Sequence, residues 1–226
     1  MCGRYSQSLT VKQIEGTLGV AVDPERYPDL APNYNVAPTQ LAPVVTNRHP
    51  DRVEVFEWGL VPCWSEDGKN TARMINARAE TLLDKPAFRK PARERRCLVV
   101  GDSFYEWRRE GARKQPFRIR GAGGAPVVFA GIWEYWRDRD DPERERLTYS
   151  IVTTAPNAEM RAVHNRMPVV LATADLRAAW LGDGLTDDDI RALTATPPDG
   201  TLEMYAVGTE VNNVRNNGPE LHEGLD

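Results

Sequence analysis

The second residue of the chain is a cysteine, and this position gives it two possible nucleophiles. Once Met1 is removed, Cys2 carries an α-amine and a thiol on neighbouring carbons. The amine has an ordinary pKa of about 7.7–8.0 and the thiol one of about 8.5, so part of the amine is nucleophilic near neutral pH. The thiol can attack an amide or ester carbonyl with the amine as base. Alternatively, the amine forms an imine with an aldehyde and the thiol closes a thiazolidine ring.

A small residue at an exposed terminus needs no function, so three further residues matter. Asn76 lies in "MINARAET", Glu106 in "DSFYEWRR" and His164 in "AVHNRMP". An asparagine holds a reacting group by hydrogen bonds, a carboxylate among aromatic rings suits acid–base work, and a histidine moves protons near pH 7. Each also has a structural explanation: a helix cap for Asn76, the solvent face of a strand for Glu106 and local hydrogen bonds for His164.

The formal net charge of -4 conceals two segments of opposite sign. Residues 85–120 contain 12 Lys or Arg against 4 Asp or Glu, whereas residues 175–226 contain 11 acids against 3 arginines. Local basicity sets the field that a phosphate feels, so overall acidity leaves room for a nucleic-acid-binding surface. A solvated arginine-rich surface explains the same charges. Trp64 and Trp107 are candidates to stack on unpaired bases, at about 1–3 kcal/mol for each stack.

The elements that must position these residues are mostly strands. Alternating or apolar runs predict strands at "VEVFEWGL", "PFRIR", "VVFAGIWEYW", "LTYSIVTT" and "LEMYAV", and a long strand "CLVVGDSFYEWRR" broken near Gly101. Capped helices are predicted at "TVKQIEGTLG", "TADLRAAWL" and "TDDDIRALT". "APNYNVAPTQLAPV" is predicted to be a loop, and "INARAETLL" a loop entering a helix. The pattern predicts an α+β fold with a curled, mostly antiparallel, barrel-like sheet flanked by short helices, as a single domain over residues 1–226.

Composition excludes several classes of protein. No apolar run approaches the roughly 18 residues of a membrane span, and the first residues lack the apolar stretch of a secretory signal, which predicts a soluble cytoplasmic protein. Three widely spaced cysteines argue against a disulfide framework and, with three histidines, show no metal-ligand spacing. Cys63 and Cys97 are therefore predicted to be structural.

An ordered set of segments resembles the SOS response-associated peptidase family, also called abasic-site processing proteins. The segments are "MCGRY", "YNVAPTQ", "WGLVPCW", "INARAET", "FYEW", "TTAPN", "HNRMP" and "VNNVRNNGPEL". They span almost the whole chain in the order of the family. One departure is Ser103, which stands where the family usually has a glycine before the aromatic pair.

The resemblance implies a covalent reaction with abasic sites in single-stranded DNA. The open form of an abasic sugar is an aldehyde, the partner that a 1,2-aminothiol needs, and the product shields the lesion from strand cleavage. By resemblance, Cys2 supplies both nucleophiles, Asn76 holds the amine or the sugar, Glu106 is the acid/base and His164 assists proton transfer. Removal of Met1 is implied, by self-cleavage or by an aminopeptidase. Contacts with DNA are implied for Arg4, Pro38, Trp64, Arg78, Trp107, Thr153, Thr154 and Arg166.

The resemblance also implies binding partners, and two alternative functions stay open. It implies that the reaction needs no metal or organic cofactor. The implied partners are single-stranded DNA with abasic sites and replication-fork proteins. The protein is expected to be a monomer that associates with the nucleoid when it binds DNA. An N-terminal-nucleophile amidotransferase also begins "MCG", but it requires an early "NG" segment, whereas "NNGPE" lies at the far C-terminus. A non-catalytic single-strand binder predicts salt-sensitive binding without a covalent product.

Overall fold

Strands dominate the fold, which a computed structural model describes for residues 2–23, 31–69 and 73–225. The strands of the described residues are β1 (Tyr5–Gln7), β2 (Asn33–Val36), β3 (Leu41–Thr46), β4 (His49–Trp58), β5 (Asn76–Arg78), β6 (Arg96–Gly101), β7 (Ser103–Glu110), β8 (Arg113–Gly121), β9 (Val127–Arg137), β10 (Glu145–Thr154), β11 (Met167–Pro168) and β12 (Leu202–Ala206). The helices are α1 (Val11–Leu18), α2 (Pro86–Glu94), α3 (Ala158–Arg161), α4 (Ala174–Leu181) and α5 (Asp187–Leu193).

Five of the strands close into a barrel. They follow the order β10-β4-β3-β6-β9, and β10 pairs with β9 as well as with β4, which completes the ring. All of these pairings are antiparallel except β10 with β4. A separate antiparallel sheet has the order β12-β8-β7-β1-β2, and the short strands β5 and β11 pair with β10. The predicted α+β fold with a curled, mostly antiparallel, barrel-like sheet is confirmed.

The predicted long strand is broken where expected, and the break divides it between the two sheets. Gly101 ends β6 in the barrel, and Ser103 begins β7 in the second sheet. A Cβ atom at Gly101 would lie 2.7 Å from the backbone oxygen of Ser6, so a larger residue cannot follow this path without a shift. The chain therefore leaves the barrel at Gly101 and carries Glu106 into the second sheet.

Aromatic side chains fill the space between the sheets, and one of them holds the backbone in place just before β5. Trp58 is fully buried and stacks on Tyr149 with ring centroids 6.4 Å apart. The hydroxyl groups of Tyr5 and Tyr149 lie 2.8 Å apart, which joins β1 to the barrel. The indole N–H of Trp58 donates to the backbone oxygen of Ile75 at 2.9 Å. This bond anchors the chain immediately before β5, the strand that begins with Asn76.

The helices confirm the capping signals but depart from the expected loops. Thr10, Thr173 and Thr186 cap α1, α4 and α5, and Gly19 ends α1 with a left-handed φ of 69°. Strand β2 and the first four residues of β3 lie within the stretch predicted to be a loop. The helix expected within "INARAETLL" is a 3₁₀ turn at Ala79–Thr81, and α2 begins only at Pro86. No helix among the described residues is long and apolar enough to cross a membrane.

Candidate active-site cleft

Cys2 lies at the start of the second sheet, beside β7. The Tyr105 backbone N–H donates to the Arg4 oxygen at 3.0 Å, and Tyr5 pairs with Phe104, so the antiparallel register brings Cys2 toward Glu106. The Cys2 side chain is fully buried in the hydrophobic core. The Met1–Cys2 bond, whose cleavage was predicted, involves a residue outside the described part of the chain.

Asn76 reaches Cys2 from the opposite side. Strand β5 runs parallel to β10, with Asn76 in register with Ile151. The Asn76 side-chain amide donates to the backbone oxygen of Cys2 at 2.8 Å. Its Oδ1 is buried and has no hydrogen-bond partner among the described residues. The amide thus fixes the backbone of Cys2 and leaves one acceptor for a further donor.

Glu106 and His164 complete the group around Cys2. The Glu106 side chain is 3% exposed, and its Oε2 lies 3.9 Å from His164 Nε2. The backbone N–H of Arg166 donates to His164 Nδ1 at 3.1 Å. This bond favours the neutral tautomer that carries its proton on Nε2, the nitrogen that faces Glu106. The imidazole is thereby oriented by its own loop.

Burial shifts the pKa of both ionisable groups upward. It raises the pKa of the Cys2 thiol well above its ordinary value, and repulsion by the Glu106 carboxylate adds to the shift. Burial likewise raises the pKa of Glu106, while His164 and the backbone N–H of Trp107 oppose the shift. A protonated thiol beside a carboxyl group that holds its proton more tightly than usual is an arrangement that can exchange protons with a reacting carbonyl.

A cleft of about 640 Å³ opens above Glu106 and His164. Its lining is polar and cationic on the side of the β7–β8 hairpin, and the C-terminal segment supplies one wall. The lining residues are Glu106, Trp107, Arg109, Lys114, Val163, His164, Asn165 and Asn212. Glu106, Trp107 and His164 therefore line one opening, and Cys2 lies buried behind it, with Asn76 bonded to its backbone and its thiol within electrostatic reach of Glu106.

Arg166 and Arg78 lie near this opening, but among the described residues only Arg166 forms an ion pair. The Arg166 guanidinium forms a two-pronged ion pair with Glu80, with 2.9 Å for one of the bonds, and donates to the Thr153 oxygen at 2.7 Å. This pairing lowers the pKa of Glu80. Arg78 is exposed, has no ion-pair partner among the described residues and is in register with Thr153. Thr153 and Thr154 are buried, and their contacts with DNA stay predictions.

The remaining candidates for DNA contact lie apart from the lining of the cleft. Arg4 donates to Asn35 Oδ1 at 2.7 Å and to the Val211 oxygen at 2.8 Å, so it joins β1 to the C-terminal segment. Pro38 lies in the turn between β2 and β3, and Trp64 is 56% exposed. Their contacts with DNA stay predictions.

Ser103, the departure from the family pattern, belongs to a buried polar network behind the cleft. Its hydroxyl donates to Asp102 Oδ2 at 2.9 Å and accepts from Arg118 Nε at 2.8 Å. Burial alone would raise the pKa of Asp102, but bonds from Ser8 and Arg118 and the nearby His222 lower it. A glycine lacks the hydroxyl that bridges Asp102 and Arg118, so Ser103 is a structural residue here.

Sequence reasoning did not single out Arg109, Lys114 or Asn212 as site residues. Arg109 and Lys114 belong to the basic segment, and Asn212 belongs to the quoted segment "VNNVRNNGPEL". Only the pairing of β7 with β8, and the return of the C-terminal segment to Trp107, places them in one cleft.

Comparison with known proteins gives the family of the chain. The family described as SOS response associated peptidase (SRAP) matches residues 1–214. The chain is 42% identical to the abasic site processing protein YoqW of Bacillus subtilis, over 85% of this chain and 86% of that one. It is 31% identical to the abasic site processing protein YedK of Escherichia coli, over 98% of each chain.

A solved structure has the same fold. A protein from Bacteroides thetaiotaomicron superposes with a TM-score of 0.90 at 30% identity, over 99% of this chain and all of that one. The ordered segments, the barrel with its second sheet and the match over residues 1–214 agree. The chain therefore belongs to the SOS response associated peptidase (SRAP) family.

Proposed function

We propose that this protein processes abasic sites in single-stranded DNA by forming a thiazolidine between the sugar aldehyde and Cys2. The observation that carries the proposal is the convergence of Asn76, Glu106 and His164 on Cys2, beneath one cleft. The relatives named abasic site processing proteins support the same substrate.

The reaction is balanced by the loss of one water molecule. Glu106 as an acid assists opening of the sugar hemiacetal, and the Cys2 amine attacks the aldehyde carbon. The resulting carbinolamine loses water to give an imine. The Cys2 sulfur then bonds to the imine carbon, and the thiol proton ends on the ring nitrogen. Because the thiol pKa is raised, ring closure needs a proton acceptor, and we assign that role to ionised Glu106, whose charge already acts on the thiol.

Ring closure matters because an open imine promotes β-elimination and strand breakage. The thiazolidine has no C=N bond, so the strand stays intact beneath the protein. The amine must be free for any of these steps, so removal of Met1, by self-cleavage or by an aminopeptidase, belongs to the proposal. Asn76 supports it by holding the Cys2 carbonyl and presenting its own Oδ1 as an acceptor for the amine or a sugar hydroxyl.

The test is a denaturing gel with an oligonucleotide that carries one abasic site. We expect a shifted band that survives boiling, is absent for Cys2→Ala and forms about 10²- to 10⁴-fold more slowly for Glu106→Gln. Cys63→Ala is the matched control, because Cys63 is the exposed cysteine of the described residues and should be dispensable. Crosslinking by protein whose intact mass still includes Met1 would contradict the aminothiol mechanism. Glutamate release from glutamine that depends on Cys2 would favour the amidotransferase alternative.

A further inference from the structure

Glu80 and Arg166 form an ion pair beside His164. The backbone N–H of Arg166 donates to the imidazole Nδ1 at 3.1 Å, so the arginine belongs to the same loop as the histidine. Both terminal nitrogens of the guanidinium bind the Glu80 carboxylate, with 2.9 Å between Nη2 and Oε2. A sugar that reacts at Cys2 has a phosphate on each side, and neighbouring phosphates of a strand are close together. The ion pair therefore lies where a phosphate is expected.

The carboxylate is the outer member of this pair. The Glu80 side chain is 52% exposed, whereas that of Arg166 is 16% exposed. Arginine binds carboxylates and phosphates in the same way, through two parallel N–H bonds. Glu80 therefore occupies the N–H groups that a phosphate would bind, and it lies on the side of the guanidinium that faces solvent.

The position of Arg166 does not depend on Glu80 alone. Its Nη2 also donates to the backbone oxygen of Thr153 at 2.7 Å and lies 3.4 Å from the Thr153 hydroxyl oxygen. Thr153 belongs to the barrel strand β10 and pairs with Pro168, two residues after Arg166. These contacts hold the guanidinium from its inner side. Loss of the carboxylate would therefore free N–H groups without releasing the side chain.

A second arginine acts on the same carboxylate. The hydrogen bonds from Arg166 lower the pKa of Glu80, and the charges of Arg166 and Arg78 add to the shift, so Glu80 is ionised at neutral pH. The two arginines and the one glutamate carry a single net positive charge. Phosphate contacts do not report whether a base is missing. A carboxylate here therefore weakens the initial binding of intact and damaged strands alike.

We propose that Glu80 is a specificity-determining residue, which takes the place of a DNA phosphate on Arg166 and so limits how tightly the protein holds strands without an abasic site. A phosphate of a bound strand displaces the carboxylate, and the broken ion pair together with the repulsion by Glu80 lowers the affinity. Discrimination then rests on the covalent step at Cys2, which intact strands cannot undergo. The inference deepens the proposed function and rests on it for the position of the DNA.

The test is fluorescence anisotropy with a labelled single-stranded oligonucleotide that has all its bases, at several salt concentrations. For Glu80→Gln we expect binding to tighten roughly 2- to 5-fold, the range for release of one exposed ion pair. The slope of log K against log salt should become steeper by roughly 0.7, the value for one further neutralised phosphate. Unchanged binding would overturn the proposal, and weaker binding would show instead that the carboxylate orients Arg166 for DNA.

The matched control is Glu203→Gln. Glu203 is 38% exposed and pairs with Arg120 at 2.6 Å, and neither residue lines the cleft. Both substitutions remove one negative charge, so an effect of net charge alone would be the same in the two variants. Equal tightening by Glu80→Gln and Glu203→Gln would overturn the specific role of Glu80.

A double-mutant cycle tests whether Glu80 acts through Arg166. The tightening caused by Glu80→Gln should be smaller when it is made together with Arg166→Gln, because the freed N–H groups are then absent. Tightening of the same size in both backgrounds would show that the carboxylate does not act by occupying Arg166, and would overturn the proposal.

A competition experiment measures the discrimination itself. Crosslinking to an oligonucleotide with one abasic site is followed as undamaged strand is added. The concentration of undamaged strand that halves the rate should be roughly 2- to 5-fold lower for Glu80→Gln than for the wild type. Wild-type crosslinking with the same concentration for both proteins would defeat the role of Glu80 alone. Tighter binding of intact strands by Glu80→Gln, without any crosslink by the wild type, would defeat the proposed function alone.

Discussion

The Glu106 carboxyl group is buried where ionisation works against folding. Burial raises its pKa in the folded state, so the folded protein holds the proton more tightly than the unfolded chain does. The resulting destabilisation is absent below the unfolded pKa of about 4.3 and grows as the pH rises through the higher folded pKa. A buried acid that lowers stability at this position supports the catalytic role proposed for it.

Glu106→Gln should therefore stabilise the protein while it slows crosslinking. Because the amide carries no charge, we expect the free energy of unfolding at pH 7.5 to rise by about 0.5–2 kcal/mol, the usual range for stabilising substitutions. The gain should diminish toward pH 4, where the wild-type carboxyl group is protonated as well. Denaturant unfolding at both pH values measures it, with Glu110→Gln on the exposed end of the same strand as the control. A gain that does not depend on pH would contradict the electrostatic explanation.

At the scale of residues, the sequence predicted types of chemistry better than it predicted partners. The side-chain chemistry of Asn76, Glu106 and His164 is legible in their local segments, and the structure places them near Cys2. The ion pair between Arg166 and Glu80 joins residues 86 positions apart, and no local sequence pattern predicts it. Contacts of this kind are set by the return of distant strands, which a single sequence does not display.

The sequence predicts those helices and strands whose local patterns are strong. Helices α1 and α5 have capping boxes, and both were predicted. Helix α2 begins after Lys85 without a side-chain cap and contains Pro91, so its sequence lacks the usual signals. Strands β2 and β3 lie in a stretch rich in Pro and Asn, where pairing with neighbouring strands overrides local preference.

Arg96 replaces missing caps at two helix ends. Its buried guanidinium donates to the backbone oxygens of Ala92 and Arg93 at the end of α2, and to those of Trp180 and Gly182 at the end of α4. Burial lowers the pKa of Arg96, and the nearby Asp183 carboxylate opposes the shift. The partial negative charge at two helix C-termini also compensates the cation. One side chain thereby ties both helices to β6.

Arg96→Met should lower the free energy of unfolding by about 3 kcal/mol. Hydrogen bonds to a charged group are worth about 1.5–3 kcal/mol each, and relief of the desolvated charge offsets part of the loss of several. The control is Arg93→Gln, which removes an exposed ion pair with Asp187 and should change stability by less than about 1 kcal/mol. Chemical denaturation measures both variants. Similar losses for the two would show that Arg96 does not join the helices.

At the scale of the whole molecule, the C-terminal segment closes the structure onto its N-terminal strands. The Asn35 side-chain amide donates to the backbone oxygens of Asn213 at 3.0 Å and Asn216 at 2.9 Å, and its Oδ1 accepts from Arg4. The same segment carries Asn212, the partner of Trp107. A single buried side chain thus links the strand that follows Cys2 to a wall of the cleft.

Asn35→Ala should release this segment and weaken DNA binding together. Loss of the clamp leaves partly buried carbonyl groups without this donor, so we expect stability to fall by about 1–3 kcal/mol. Hydrogen exchange of residues 209–217 should rise more than that of the barrel strands, because local opening precedes global unfolding. The control is Asn157→Ala, which removes the cap of α3 and should cost about 1 kcal/mol elsewhere in the fold. If Asn35→Ala lowers stability without selective exchange in residues 209–217, or if both variants weaken DNA binding equally, the segment is not a separately held wall of the cleft.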